Sequence, residues 1–216
     1  MGTKLYITMK VIDNFELIKN HMSFNNPNEF YFLQIIQRKK DGNEGLHVKN
    51  GYRLIKSYYT YSIKDFDELK PRIIELCHNN NARAYINPNV RNAQEVALEC
   101  IKRYAELVAN NNAFQGNSIW DSACGSVRAK GYKGLNTVDI DYIEHLDKYK
   151  KIILSCRGND ENRVIYEVPT VHGMHLITRG FDTKQFQQYC VIDNLPQVNV
   201  HKNSPTLLYF NDISSK

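Results

Sequence analysis

The sequence predicts an α/β fold of the α+β kind, a mixed β-sheet with helices over one side. Three observations carry this expectation. Runs rich in aromatic and β-branched residues alternate with runs whose apolar residues recur at helical spacing. Two adjacent strand-like runs are joined by hairpin chemistry. The stretch Thr137-Val138-Asp139-Ile140-Asp141-Tyr142-Ile143 alternates with the period of a strand.

Taken in order, residues 4–11 read as a first strand, and Asp13 followed three residues later by Glu16 makes a capping box for a helix to about His21. Residues 30–39 and 52–63 are strands, and Lys39-Lys40-Asp41-Gly42-Asn43-Glu44-Gly45 between them has the residues of a hairpin loop. Phe66, Leu69, Ile73 and Leu76 share one face of a helix over 64–78, with Pro71 expected to delay or kink it. A short strand over 82–87 ends at Pro88. Asn92 and Glu95 cap a helix over 93–109 whose buried stripe reads Val96, Cys100, Tyr104 and Leu107. The polar loop 110–117 divides an N-terminal lobe, 1–112, from a C-terminal lobe, 113–216. After the acidic strand come a short helix over 144–149, strands over 151–156, 163–169 and 174–179, and a helix capped by Asp182 or Thr183. Extended segments over 198–200 and 206–210 complete the pattern.

With 216 residues the chain can bury a substantial core, and 42% hydrophobic with 24% charged residues is ordinary for a globular protein. No apolar run approaches a membrane span and no signal-peptide pattern is present, so the expected location is cytoplasmic. The five cysteines, Cys77, Cys100, Cys124, Cys156 and Cys190, are widely spaced without a Cys-x-x-Cys. They read as reduced and mostly buried rather than as a disulfide frame or zinc site. A formal charge of +5 permits a polyanionic partner without requiring one.

In the acidic strand, period two sends Val138, Ile140 and Tyr142 into a core and leaves Asp139 and Asp141 side by side on the other face. Such a pair suits a hard divalent cation, and it equally suits a solvated sheet face. About thirty residues on, Pro169-Thr170-Val171-His172-Gly173-Met174-His175 is a glycine-bearing turn that opens an apolar strand with His175; His172 reads as solvent-exposed.

An acid pair around one hydrophobic residue, followed by Gly-x-His at the head of a strand, resembles the archaeo-eukaryotic primase (primase-polymerase) superfamily over residues 137–210. Asp139-Ile140-Asp141 matches the first motif, and His175 matches the histidine that ends the second. Asn199 stands where the third motif has an acid, and His201 and Lys202 follow as the basic segment facing the triphosphate. The resemblance implies an RRM-like palm behind an N-terminal α/β lobe, and a metal-dependent nucleotidyltransferase that adds NTP or dNTP units to a DNA or RNA strand. It implies Mg²⁺ or Mn²⁺ at Asp139, Asp141 and Asn199, and phosphates held by His175, His201 and Lys202. The implied partners are a single-stranded or primed template and a helicase or other replication proteins. An amide is a poorer ligand than a carboxylate, so a catalytically weak or inactive binding module of the same fold is the alternative.

In the N-terminal half, Arg83, Tyr85 and Asn87 share a strand face with Arg91 just beyond. Arg83, Tyr85 and Arg91 fit a nucleic-acid backbone and a stacked base, or equally a half-exposed strand with a paired arginine. Tyr58, Tyr59 and Tyr61 beside Lys56 read as core. Arg128, Lys130 and Lys133 lie along a template or in solvent. Lys39-Lys40-Asp41-Gly42 contains a Lys-x-Asp-Gly string like that of covalent-lysine, ligase-like nucleotidyltransferases, although Asp-Gly is also what a hairpin turn requires.

Overall fold

The longest aromatic and β-branched run forms the spine of the larger of two sheets. In the computed structural model, which describes residues 11–46, 48, 50–112, 116, 118–126, 134–157 and 163–211, this strand is β2 (Glu29–Arg38). It pairs with β3 (Tyr52–Thr60) on one side. On the other it pairs with β4 (Arg83–Ile86) and the two-residue β5 (Arg91–Asn92). The sheet continues from β4 through β10 (Thr206–Asn211) to β1 (Val11–Asp13). The expected first strand falls mostly on residues outside the described ones.

Helix α1 (Phe15–Lys19) lacks the expected capping box. Asp13 accepts from the Phe15 N–H at 3.0 Å, while the side chain of Asn14 is used elsewhere. Helix α2 (Ile63–Asn80) begins at a Ser62 cap whose side chain accepts from Asp65 N–H, and it runs through Pro71 unbroken. Phe66, Ile73 and Cys77 of α2 pack with Leu33, Ile35, Ala84 and Leu208 on one face of the sheet. On the other face, Phe30 and Phe32 pack with Val96 of α3 (Ala93–Ala109) and with Ala123 and Cys124 of α4 (Ile119–Cys124). Asp121 of α4 accepts hydrogen bonds from Ser57 and Tyr59, so α4 is pinned to β3. The stripe expected on α3 is fully buried only at Val96; Cys100 and Leu107 are half-buried and Tyr104 is exposed.

The smaller sheet has the order β7-β8-β6-β9. Its strands are β6 (Asn136–Ile140), β7 (Val164–Pro169), β8 (Met174–Thr178) and β9 (Asn199–Lys202). Helix α5 (Leu146–Ser155) connects β6 to β7, and α6 (Thr183–Ile192) connects β8 to β9, giving two interlocked split β-α-β units. Each split unit skips one strand. Every pairing in both sheets is therefore antiparallel, where a mixed sheet was expected.

Residues 151–156, expected as a strand, belong mostly to α5. Tyr149, Ile152, Ile153 and Cys156 are buried at helical spacing against Phe186 and Cys190 of α6, and that packing outweighs the β preference of the two isoleucines. Arg163, fully buried, closes α5 by donating to the carbonyls of Ile153 at 2.7 Å and Cys156 at 2.9 Å.

Residues from both sides of the 110–117 loop build the larger sheet, since β10 joins β1 and β4 there. All five cysteines are free; burial pushes the Cys77 and Cys124 thiols up to about 12. Among the described residues no helix is long and apolar enough to cross a membrane.

The hairpin loop after β2 turns on Gly42, whose φ of 79° favours glycine. Its Asp41 turns inward and accepts two bonds from Arg83 of β4, at 2.7 and 2.5 Å, in a pair almost wholly buried. Asp41→Ala should leave a buried guanidinium uncompensated and lower the unfolding free energy by about 3 kcal/mol in urea denaturation. Asp41→Leu combined with Arg83→Met should recover most of that loss.

Candidate functional site between the two sheets

The helices α5 and α6 cover the face of the smaller sheet that carries Val138, Ile140 and Leu176. Strand alternation therefore turns Thr137 and Asp139 to the opposite face, toward the larger sheet. Antiparallel register adds neighbours to Asp139 on that face: His175 of β8 on one side and Asn199 of β9 on the other, with His201 opposite Thr137. The far end of this face is apolar. Tyr166, Val168 and Ile177 merge there with the main core.

The polar end opens as a cleft of about 280 Å³ between the sheets. Asp139, Asp141, His175 and His201 line it from the smaller sheet, facing Arg38, Lys40, Arg83 and Tyr85 from the larger. His175 Nε2 lies 3.3 Å from Asp139 Oδ1, and Nδ1 lies 2.9 Å from Thr206 Oγ1 of β10. The ring is thus oriented by both sheets. The hydrogen bond from His175 holds the Asp139 carboxyl below its ordinary range against the opposing effect of burial, with further help from the charges of His201 and Lys40. A depressed carboxyl contributes stability above its unfolded-state pKa and loses it as pH falls through the folded value, so this pairing is intact at neutral pH.

β6 ends at Ile140, which leaves Asp141 just past the strand and exposed, and Tyr142 in solvent rather than in the core. Asp141 still reaches the cleft, because the chain bends there. Asn199 is exposed on the same sheet face as Asp139, beside the cleft rather than in its wall. Lys202 is a correction. It pairs with Asn136 and lines a separate hollow with Arg157 and Asn203, since alternation along β9 turns it away from His201. Arg91 is another. It is fully buried, donates to the carbonyls of Cys124 at 2.6 Å and Asn89 at 3.0 Å, and burial pushes its pKa down to about 10. Its charge joins α4 to β5 and faces no surface.

Arg83 reaches the cleft only as the buried partner of Asp41, whereas the half-buried Tyr85 lines the cleft wall and accepts from Arg38 Nη1 at 2.8 Å. His172, exposed as expected, also lines the cleft. Tyr58 and Tyr59 are core residues, and Tyr61 is exposed against Phe30. Arg128, Lys130, Lys133 and Asp212 lie outside the described residues. Asp193 ends α6 and does not line the cleft. Sequence reading missed Arg38 and Lys40 as cleft residues, and the buried Thr206 as the partner of His175. Lys40 lies within the Lys-x-Asp-Gly string and Thr206 follows the basic segment of β9, whereas Arg38 stands in no recognisable motif.

Among the described residues, no three His, Cys, Asp or Glu side chains gather as a cage for a metal ion. Two carboxylates, Asp139 and Asp141, do line the cleft. Comparison of the chain with models of protein families, with curated proteins and with solved structures finds no significant match.

Gly173 explains why the turn before β8 carries a glycine. Thr170 N–H donates to Gly173 O at 2.9 Å and Gly173 N–H to Thr170 Oγ1 at 3.0 Å, which folds the turn against the end of β6. An added Cβ would collide with the Ile140 carbonyl oxygen and stand 3.0 Å from Asp141 Cα. Gly173→Ala should cost about 1–3 kcal/mol. It should also move the amide resonances of Ile140 and Asp141 in a ¹⁵N correlation spectrum.

Proposed function

We propose that the cleft binds a nucleoside triphosphate with Mg²⁺ or Mn²⁺, and that the chain is a primase-polymerase-like nucleotidyltransferase acting on a nucleic-acid strand. The observation that carries this reading is the cross-strand pair Asp139–His175. It faces Arg38 and Lys40 across the cleft on a β-α-β-β-α-β sheet of the RRM-like order that the resemblance implies. Carboxylates at one wall and cations at the other match a ligand that is both metal-bound and polyanionic.

In this reading Asp139 and Asp141 hold the cation, which when bound lowers the charge on the phosphates and polarises the attacking hydroxyl. Asp139 stays ionised because His175 donates to it, and Thr206 keeps the imidazole turned to that wall. Lys40 and Arg38 supply donors for phosphate oxygens, while both ring nitrogens of His175 are taken up by Asp139 and Thr206. The Lys-x-Asp-Gly string needs no lysyl chemistry, since Asp41 is committed to Arg83 and Gly42 to the turn.

Asn199 favours a second reading, a module that binds nucleotide and strand without efficient turnover. It is the direct cross-strand partner of Asp139 and offers a neutral oxygen where a carboxylate would complete a two-metal site.

Asp139→Asn with Asp141→Asn should weaken Mn²⁺-dependent binding of a non-hydrolysable nucleotide by at least about tenfold in calorimetry, with the melting temperature only slightly lowered, because Asp139→Asn weakens the bond from His175. Large destabilisation would indicate a structural role for the acids. Asn199→Asp should raise labelled-nucleotide incorporation on a primed template and shift the metal preference from Mn²⁺ toward Mg²⁺. An unchanged rate would remove β9 from the metal site.

A further inference from the structure

The second face of the larger sheet is covered only in part. α3 and α4 bury Phe30 and Phe32, but farther along β2 the same face continues through the half-buried Gln34, Ile36 and Arg38, which line an open groove among the described residues. With Tyr52 and Leu54 of β3, Tyr85 of β4 and Pro205, these residues line a shallow, largely apolar groove. Tyr52 is 49% exposed and Leu54 41%, on an edge strand. The groove is continuous with the cleft: Arg38, Tyr85 and Pro205 belong to both walls. A cationic, hydrogen-bonding cleft thus runs into an aromatic and aliphatic surface, with Arg38 bonded to Tyr85 at the junction.

We infer that this groove is a platform for a single-stranded nucleic acid, whose bases lie on Tyr52, Leu54 and Tyr85 while its backbone follows Arg38 and Lys40 toward the cleft. The inference rests on the nucleotidyltransferase reading and adds the path of the strand, which runs over β2 and β3 rather than past the buried Arg91. Three properties of the surface select this occupant. The phenol rings and the leucine offer flat apolar area to any base, which gives binding tolerant of sequence. The cations lie along one side of the groove, at its border with the cleft, where a phosphate backbone would run. The open edge beyond β3 lets a polymer leave the site, which a mononucleotide would not need. A helix or peptide docked on an apolar groove would have no use for Arg38 and Lys40 at its border.

The test separates the platform from the metal site. Anisotropy of a labelled oligothymidylate or oligouridylate of about twelve nucleotides is measured in EDTA, and Mn²⁺-dependent nucleotide binding is measured separately by calorimetry. The wild-type protein should bind the oligonucleotide without metal, and affinity should fall as salt rises. Tyr52→Ala and Leu54→Ala should each weaken it at least about fivefold, while Tyr52→Phe, which keeps the ring, should restore it. Both positions are exposed and outside the cleft wall, so nucleotide binding and the melting temperature should hold. Oligonucleotide affinity equal to wild type in both alanine variants, no binding by the wild type, or binding indifferent to salt would overturn the platform. Loss of nucleotide binding by the wild type, with oligonucleotide binding intact, would instead sink the nucleotidyltransferase reading alone.

Discussion

Buried asparagine side chains hold the two sheets in the relation that makes the cleft. Asn14 donates to the carbonyls of Pro169 at 3.0 Å and Leu207 at 2.9 Å, which ties the end of β7 to β10. Asn87 donates to Asn203 O at 2.8 Å, and Asn89 both donates to and accepts from the backbone of Leu135, just before β6. These amides are almost completely shielded from water, so each missing partner would leave a desolvated polar group costing about 1–3 kcal/mol. The apolar contact between the sheets is non-directional and tolerates sliding. The amides do not, because a shift of an ångström breaks their bonds.

That rigidity matters for the chemistry on either side of the cleft. His175 is bonded to β10 through Thr206 and paired with Asp139 of β6, so its orientation is correct only while the two sheets keep their distance. The same architecture keeps Arg38 and Lys40, more than ninety residues earlier in the chain, opposite the acids. Arg83 lines the same cleft without adding an unpaired charge to it, because Asp41 already satisfies it.

Much of the fold was legible where a local signal agreed with its tertiary use. Asn92 caps the helix it precedes, the Asp41-Gly42 turn reverses β2 into β3, and the alternation of Val138, Asp139 and Ile140 states which face of β6 is core. The failures have physical causes. Ile152-Ile153 reads as strand because β-branched side chains favour extended backbone, yet their partners on α6 need helical spacing. Arg91 looks like a surface cation, and nothing local reveals that α4 closes over it and presents Cys124 O to its Nε. In the site, Asp139 and His175 announce themselves through motif spacing. Arg38 and the Tyr52–Leu54 surface have no motif, and the string that holds Lys40 points to other chemistry, since what brings them to the site is the packing of one sheet on another.

The position of β10 has a consequence for how the molecule is made. It lies between β1 and β4 in the larger sheet, although it is the last of the described strands to be synthesised. Until it arrives, β1 has no partner and β4 offers an open edge, while the smaller sheet already has all four of its strands. Until Thr206–Asn211 has been made, the larger sheet therefore offers an edge for intermolecular pairing, which makes chaperone holding most valuable over that interval.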